Sequence, residues 1–91
     1  MPTKSVLHSI DEQRVVLSLR EAGEKLDGGT GEVVVDLSDL RRIDTPGLKS
    51  LDELARAAEA KVIKVVLRGV NVDVYKALKL GKLTQRFSFE N

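Results

Sequence analysis

The chain has no cysteine, one histidine, two prolines and three aromatic residues among its 91. Each shortage closes off a class of function. Without cysteine there is no disulfide framework and no thiolate metal site, which accords with a cytoplasmic location. His8 alone cannot build a histidine metal cluster, and no serine, histidine and aspartate are arranged as a triad. It reads as a partly exposed strand residue. Tyr75, Phe87 and Phe89 are too few to form stacking platforms for a nucleic-acid strand. Charge of one sign is lacking too. Fifteen Lys+Arg stand against fourteen Asp+Glu, a net charge of +1, so there is no basic excess to hold a phosphate backbone. No apolar run approaches the roughly 20 residues that span a bilayer, and Met1 to Ser5 has no signal-peptide core. Neither GxxxxGK[ST] nor GxGxxG occurs. Gly28-Gly29-Thr30-Gly31 precedes a strand rather than following one and reads as a turn. The expectation is a chain with no catalytic residue, metal, cofactor, nucleic-acid partner or direct membrane insertion.

What is present is organised around Val33 to Leu51. Val33-Val34-Val35 has the character of a strand buried on both faces, and the strand extends from Glu32 to Leu37. Asp36 lies near its C-terminal end, where a carboxylate can reach the loop. Ser38 to Arg42 is a loop carrying Leu40 as a core plug, and Ile43 points inward. A helix follows, capped by Thr45 with Pro46 in the first helical position, running to about Ala60. Leu48, Leu51, Leu54, Ala55 and Ala58 form its inner stripe. Lys49, Asp52, Glu53, Arg56 and Glu59 form a solvated face. Such a strand–loop–helix junction is where α/β folds usually keep their working residues.

The flanking segments alternate in the same way. Ser5 to Ser9 can form a short strand. From Ile10 to Leu26 the apolar residues Val15, Leu19, Ala22 and Leu26 trace one face of a helix, which Ser9 or Asp11 can cap and the glycines after Asp27 end. Lys61 to Leu67 is a β-branched strand. Arg68 to Asn71 turns the chain, and Asn71 caps a third helix over Val72 to Leu80. Val74, Tyr75, Leu78 and Leu80 supply its inner face, and Gly81 stops it. Leu83 plugs the core, and Phe87 and Phe89 fit a short last strand. Alternating strands and helices imply parallel neighbours joined by right-handed crossovers. Residues 1–91 therefore read as one α/β domain with a small, mainly parallel sheet.

The ordered set Asp36-Leu37-Ser38, Ile43-Asp44-Thr45-Pro46-Gly47-Leu48 and Leu67-Arg68-Gly69-Val70-Asn71 resembles the STAS domain family, which includes the bacterial anti-sigma-factor antagonists. The resemblance covers roughly residues 10–89, and its strength lies in the spacing of the pieces. Two departures stand out. Family members usually begin with two strands, whereas about nine residues here precede the first helix, room for one. That shortened element implies an open sheet edge able to pair with another chain. In the phosphorylatable antagonists a serine or threonine precedes the glycine; here that residue is Pro46, which has no hydroxyl. The pattern around Thr45 looks more like the small STAS subunit of Mla-type lipid-transport systems, in which the matching threonine contacts the transporter's ATPase.

The resemblance thus implies a non-catalytic cytoplasmic module docking on a nucleotide-binding partner. The expected surface is Arg41, Arg42, Asp44, Thr45, Pro46, Gly47, Leu48 and Lys49. The partner is an ABC ATPase subunit or, alternatively, an anti-sigma-factor kinase, with Thr45 as an offset phosphoacceptor; pairing of two copies through the open edge is a further possibility. An enzyme built on Asp36 and Asp44 is the competing class, with no nucleophile, metal or oxyanion hole beside them.

Overall fold

Four strands lie side by side in chain order, every neighbouring pair parallel. The computed structural model describes residues 5–26 and 31–90. They form β1 (Ser5–Ser9), a 3₁₀ turn (Glu12–Arg14), α1 (Val15–Glu24), β2 (Glu32–Asp36), α2 (Thr45–Ala60), β3 (Lys64–Arg68), α3 (Val72–Leu80) and β4 (Ser88–Glu90). Right-handed crossovers that always step in the same direction place all three helices on one face of the sheet. Burial follows that geometry. Val33 and Val35 of β2 and their register partners Val65 and Leu67 of β3 are buried among the helices. On the opposite face Glu32, Val34 and Asp36 are half-buried, and Lys64 and Arg68 are exposed. The valine run is therefore not buried on both faces as expected. Among the described residues no second helical layer covers its far side, and of the β2 and β3 residues facing that way only Val66 is buried.

The helical stripes hold, with shifted boundaries. The segment expected as one helix from Ile10 to Leu26 opens as the 3₁₀ turn and becomes α-helical only over Val15–Glu24. Ile10 and Leu26 lie outside the helix but are buried. Asp11 caps the turn, accepting a bond from Gln13 N–H at 2.9 Å. The expected glycine terminator falls partly on residues 27–30, outside the described residues; Lys25 is the helix C-cap. In α2, Leu51, Leu54, Ala55 and Ala58 are buried and Leu48 packs against the same core.

Two further expectations are corrected. The strand placed at Lys61–Leu67 begins at Lys64, because Lys61, Val62 and Ile63 are spent on closing α2. Val62 N–H donates to the Glu59 carbonyl (3.1 Å) and Ile63 N–H to the Ala58 carbonyl (2.9 Å), the paired bonds of a Schellman ending. α3 ends the same way, with Lys82 N–H donating to Lys79 (3.1 Å) and Leu83 N–H to Leu78 (2.9 Å). Each ending needs one left-handed residue. Val62 takes it at φ 57° and Lys82 at φ 60°, while Gly81 sits one position early at φ −81°. On α3 only Val74 and Leu78 are buried. Leu80 is exposed, and Tyr75 lies at the helix edge, its ring meeting Phe89 edge-on at 5.5 Å. Leu83 and Phe87 fill the core as expected.

Candidate functional site

Three helix starts gather at the C-terminal end of the parallel strands. The loop 37–44 lies between them and is tied on two sides. Leu37 N–H donates to the Arg68 carbonyl at 2.8 Å. Asn71 caps α3, accepting from Val74 N–H at 2.8 Å, and its amide nitrogen reaches back to the carbonyls of Leu40 (2.7 Å) and Arg41 (3.2 Å). Gly69 makes this approach possible. Its φ is 69°, and a Cβ there would stand 2.7 Å from Ser38 Cβ and 3.0 Å from Ser38 Cα, so only glycine fits. Leu40 and Ile43 are buried beneath the loop. Asp36 accepts from Ser38 N–H at 2.8 Å. Bonds from Ser38, side chain first and then backbone, hold the carboxyl below its ordinary range against the opposing effect of burial, with the charge of Arg68 adding a lesser lowering.

The cap of α2 is one residue earlier than expected. Asp44 is extended, and its Oδ1 accepts from Gly47 N–H at 3.1 Å. Thr45 is the first helical residue, with Pro46 behind it in the first turn. Aspartate fills the cap, where threonine can also serve, and frees the Thr45 side chain to face outward. The shift also changes what the helix start offers. Gly47 N–H is taken by Asp44, Leu48 N–H bonds the Asp44 carbonyl at 2.9 Å, and Pro46 has no N–H. Only Thr45 N–H remains, beside a carboxylate that already answers the helix dipole. An anion-binding helix terminus is thus largely used up. Gly47 is buried, and a Cβ there would press on Ile43 Cγ1 at 2.6 Å; it sets the closeness of the turn rather than presenting a surface.

Of the eight residues singled out in the sequence, Arg41, Arg42, Asp44, Thr45, Pro46 and Lys49 are exposed and Leu48 is half-buried. They form a ridge between two grooves. One runs from Thr45 and Lys49 past Asp52 and Arg56 to Gly81, Lys82 and Arg86. The other is bounded by Arg42, Ile43 and Asp44 across from Glu12 to Leu17. This second wall, with Arg14 exposed and Leu17 39% exposed, is absent from the sequence reading. It lies about thirty positions from Asp44, and only the pairing of β1 with β2 brings it near, so no local signal announces it. Asp52 and Glu59, read as solvated, also receive Arg86 at 3.5 and 3.6 Å, pinning the C-terminal turn to α2. Asp36 and Asp44 each serve their own turn and do not converge on a shared site. Among the described residues no cluster of His, Asp and Glu is suited to a metal, and no helix is long and apolar enough to cross a membrane.

The family model described as "Mlab, STAS domain" matches residues 9–87, and the chain belongs to the STAS domain family. A sequence search of curated proteins gives no significant match. Solved structures share the fold at low identity. A sulfate transporter family protein from Wolinella succinogenes is 19% identical with a TM-score of 0.79, over 98% of this chain and 79% of that one. A stressosome component is 23% identical with a TM-score of 0.77, over 98% and 83% of the two chains. A protein of Thermotoga maritima taken to be an anti-sigma factor antagonist is 18% identical with a TM-score of 0.73, over 100% and 75%.

Proposed function

We propose that this STAS domain is a non-catalytic regulatory module that docks on a protein partner through the corner at Arg41, Arg42, Asp44, Thr45, Pro46, Leu48 and Lys49, with Gly47 buried beneath it to close the turn. The observation that carries the reading is Thr45. It stands exposed on the first turn of a helix whose cap is supplied by Asp44, so the fold does not need its side chain for capping. The two arginines steer an acidic partner toward it. Pro46 stiffens the corner through its own fixed φ, while Thr45, which the proline would favour in an extended conformation, is already helical.

The partner best suited is the nucleotide-binding subunit of an Mla-type lipid-transport ABC system. What supports it is the Thr45-Pro46-Gly47 pattern and the match to a family model carrying the Mlab description. The alternative is an anti-sigma-factor kinase, favoured by the fold shared with the Thermotoga protein. In that case Thr45 is the one hydroxyl at the corner that can accept phosphate, since Pro46 has none. Affinity capture from the source cell separates the two. An ABC ATPase recovered with the chain supports the first, and a sigma-regulator kinase recovered alone sinks it. Thr45→Glu tests the corner itself. A carboxylate in the first helical turn suits the dipole, so the melting temperature should hold while partner affinity falls at least ten-fold. Unchanged affinity removes Thr45 from the interface. Pairing of two copies along the outer edge of β1 remains a separate proposal, which a concentration-independent monomer in sedimentation would overturn.

A further inference from the structure

We propose that the end of the domain opposite the docking corner rests on an anionic lipid surface, with Val62 and Leu80 entering the headgroup layer. In a parallel βαβ unit each helix runs back against its strands. The C-terminal ends of α2 and α3 therefore lie at the N-terminal end of the sheet. Val62 and Leu80 stand there 88% and 86% exposed, the two most exposed large hydrophobic residues described.

Their surroundings are basic. Six of the chain's eight lysines, Lys25, Lys61, Lys64, Lys76, Lys79 and Lys82, belong to the segments that end or begin at this side. Lys61 is committed inward, its ammonium 2.8 Å from the Leu26 carbonyl. Lys76, Lys79 and Lys82 line a shallow hollow with Leu80, and among the described residues no carboxylate lines it. Of the acids on this side, Glu59 meets Arg86 at 3.6 Å and Glu32 lies beside Lys64 in the register; Glu24 closes α1.

The backbone adds an independent argument. Val62 holds a left-handed φ of 57°, a conformation β-branched residues avoid. A glycine would close α2 with less strain, and an 88% exposed side chain returns little packing to the fold. Projecting apolar pegs among ammonium groups, with no preformed socket, suit a fluid interface that moulds itself around them. Juxtaposed lysines and apolar residues are what anionic membrane surfaces attract. The contact is superficial and involves no spanning segment. It uses none of the corner residues Arg41, Arg42 and Asp44 to Lys49; Lys82 also borders the groove beside Thr45, and Lys79→Gln and Leu80→Ser, outside that groove, keep the two proposals separable.

Co-sedimentation of the full chain with vesicles of phosphatidylcholine, with and without phosphatidylserine, tests it. The chain should partition onto the phosphatidylserine vesicles only, and lose the affinity as salt is raised. Lys79→Gln and Lys82→Gln should each weaken binding roughly five-fold. Leu80→Ser should weaken it by a similar factor at unchanged melting temperature. Val62→Gly separates fold from surface: it should raise the melting temperature and still lower vesicle affinity. Equal partition onto both vesicle types, or binding indifferent to Leu80→Ser and Val62→Gly, overturns the proposal. Salt-sensitive binding of polyglutamate without vesicle binding also overturns it, in favour of an acidic protein at the same surface.

Discussion

The two ends of the sheet treat their backbone differently. At the C-terminal end most demanding positions have the residue that suits them, the exception being the start of α1, where Arg14 supplies no side-chain cap. Asp44 and Asn71 cap α2 and α3 with side-chain oxygens, Asp11 caps the 3₁₀ turn before α1, and glycine holds φ 69° at position 69. At the N-terminal end the corresponding positions are filled against preference. Valine and lysine hold the left-handed conformation at 62 and 82, and the available glycine sits one residue early at 81. The first end is largely consistent locally, whereas the second carries strain that the burial of Ile63 and Leu83 offsets and that a glycine would avoid. Where local rules fail in an otherwise consistent fold, function outside the fold is the usual reason.

Substitutions that reverse either assignment measure the contrast. Gly69→Ala should be the most damaging, at about 3 kcal/mol, adding a left-handed penalty to overlap with Ser38 in a packed loop. Chemical denaturation gives the value, and a loss under about 1 kcal/mol would mean that Ser38 yields. Asn71→Ala should cost about 2 kcal/mol, a lost cap plus the bonds to Leu40 and Arg41. It should also loosen the 37–44 loop, visible as faster amide exchange at Leu40. At the opposite end the sign changes. Val62→Gly should stabilise by about 1 kcal/mol, a rise of roughly 4–8 °C in melting temperature for a domain of this size; Lys82→Gly should follow with less, lysine not being β-branched. A destabilised Val62→Gly would break the contrast.

The smallest effect is with pH. Burial, then the charge of Lys25, lowers the pKa of His8, so the folded state favours neutral imidazole. The unfolded chain takes up its proton first on acidification. Stability from His8 is therefore full above the unfolded value of about 6.5 and is lost as pH falls from there toward the folded pKa. Asp36, also lowered, adds a second loss below the ordinary carboxylate range. His8→Gln should flatten the first part of the curve, and an unaltered slope between neutral and mildly acid pH would remove His8 from it.

How much of this could be read in advance follows the range of each interaction. Helical stripes, alternating elements and the Asn71 cap depend on neighbours within a few residues, and the chain states them directly. The α2 cap shows how close two local readings can be. Thr45 and Asp44 are both good caps, and the choice fell to the residue whose extended backbone lets Ile43 bury on one side and Gly47 close on the other. Leu80 failed for another reason. Periodicity gives a face but not its width, and α3 meets the core through Val74 and Leu78 with Ala77 partly buried beside them.

By itself, then, the sequence determined the alternation, the parallel sheet, the core stripes and the corner at Asp44 to Gly47, because these rest on periodicity, capping chemistry and handedness. Tertiary structure alone decided that the described helices leave one sheet face uncovered, that the Glu12–Leu17 wall stands beside the corner, and that Val62 and Lys82 rather than Gly81 turn left-handed. Those outcomes depend on which carbonyls Ile63 and Leu83 must reach to enter the core, a contest between burial and backbone strain that no local window contains.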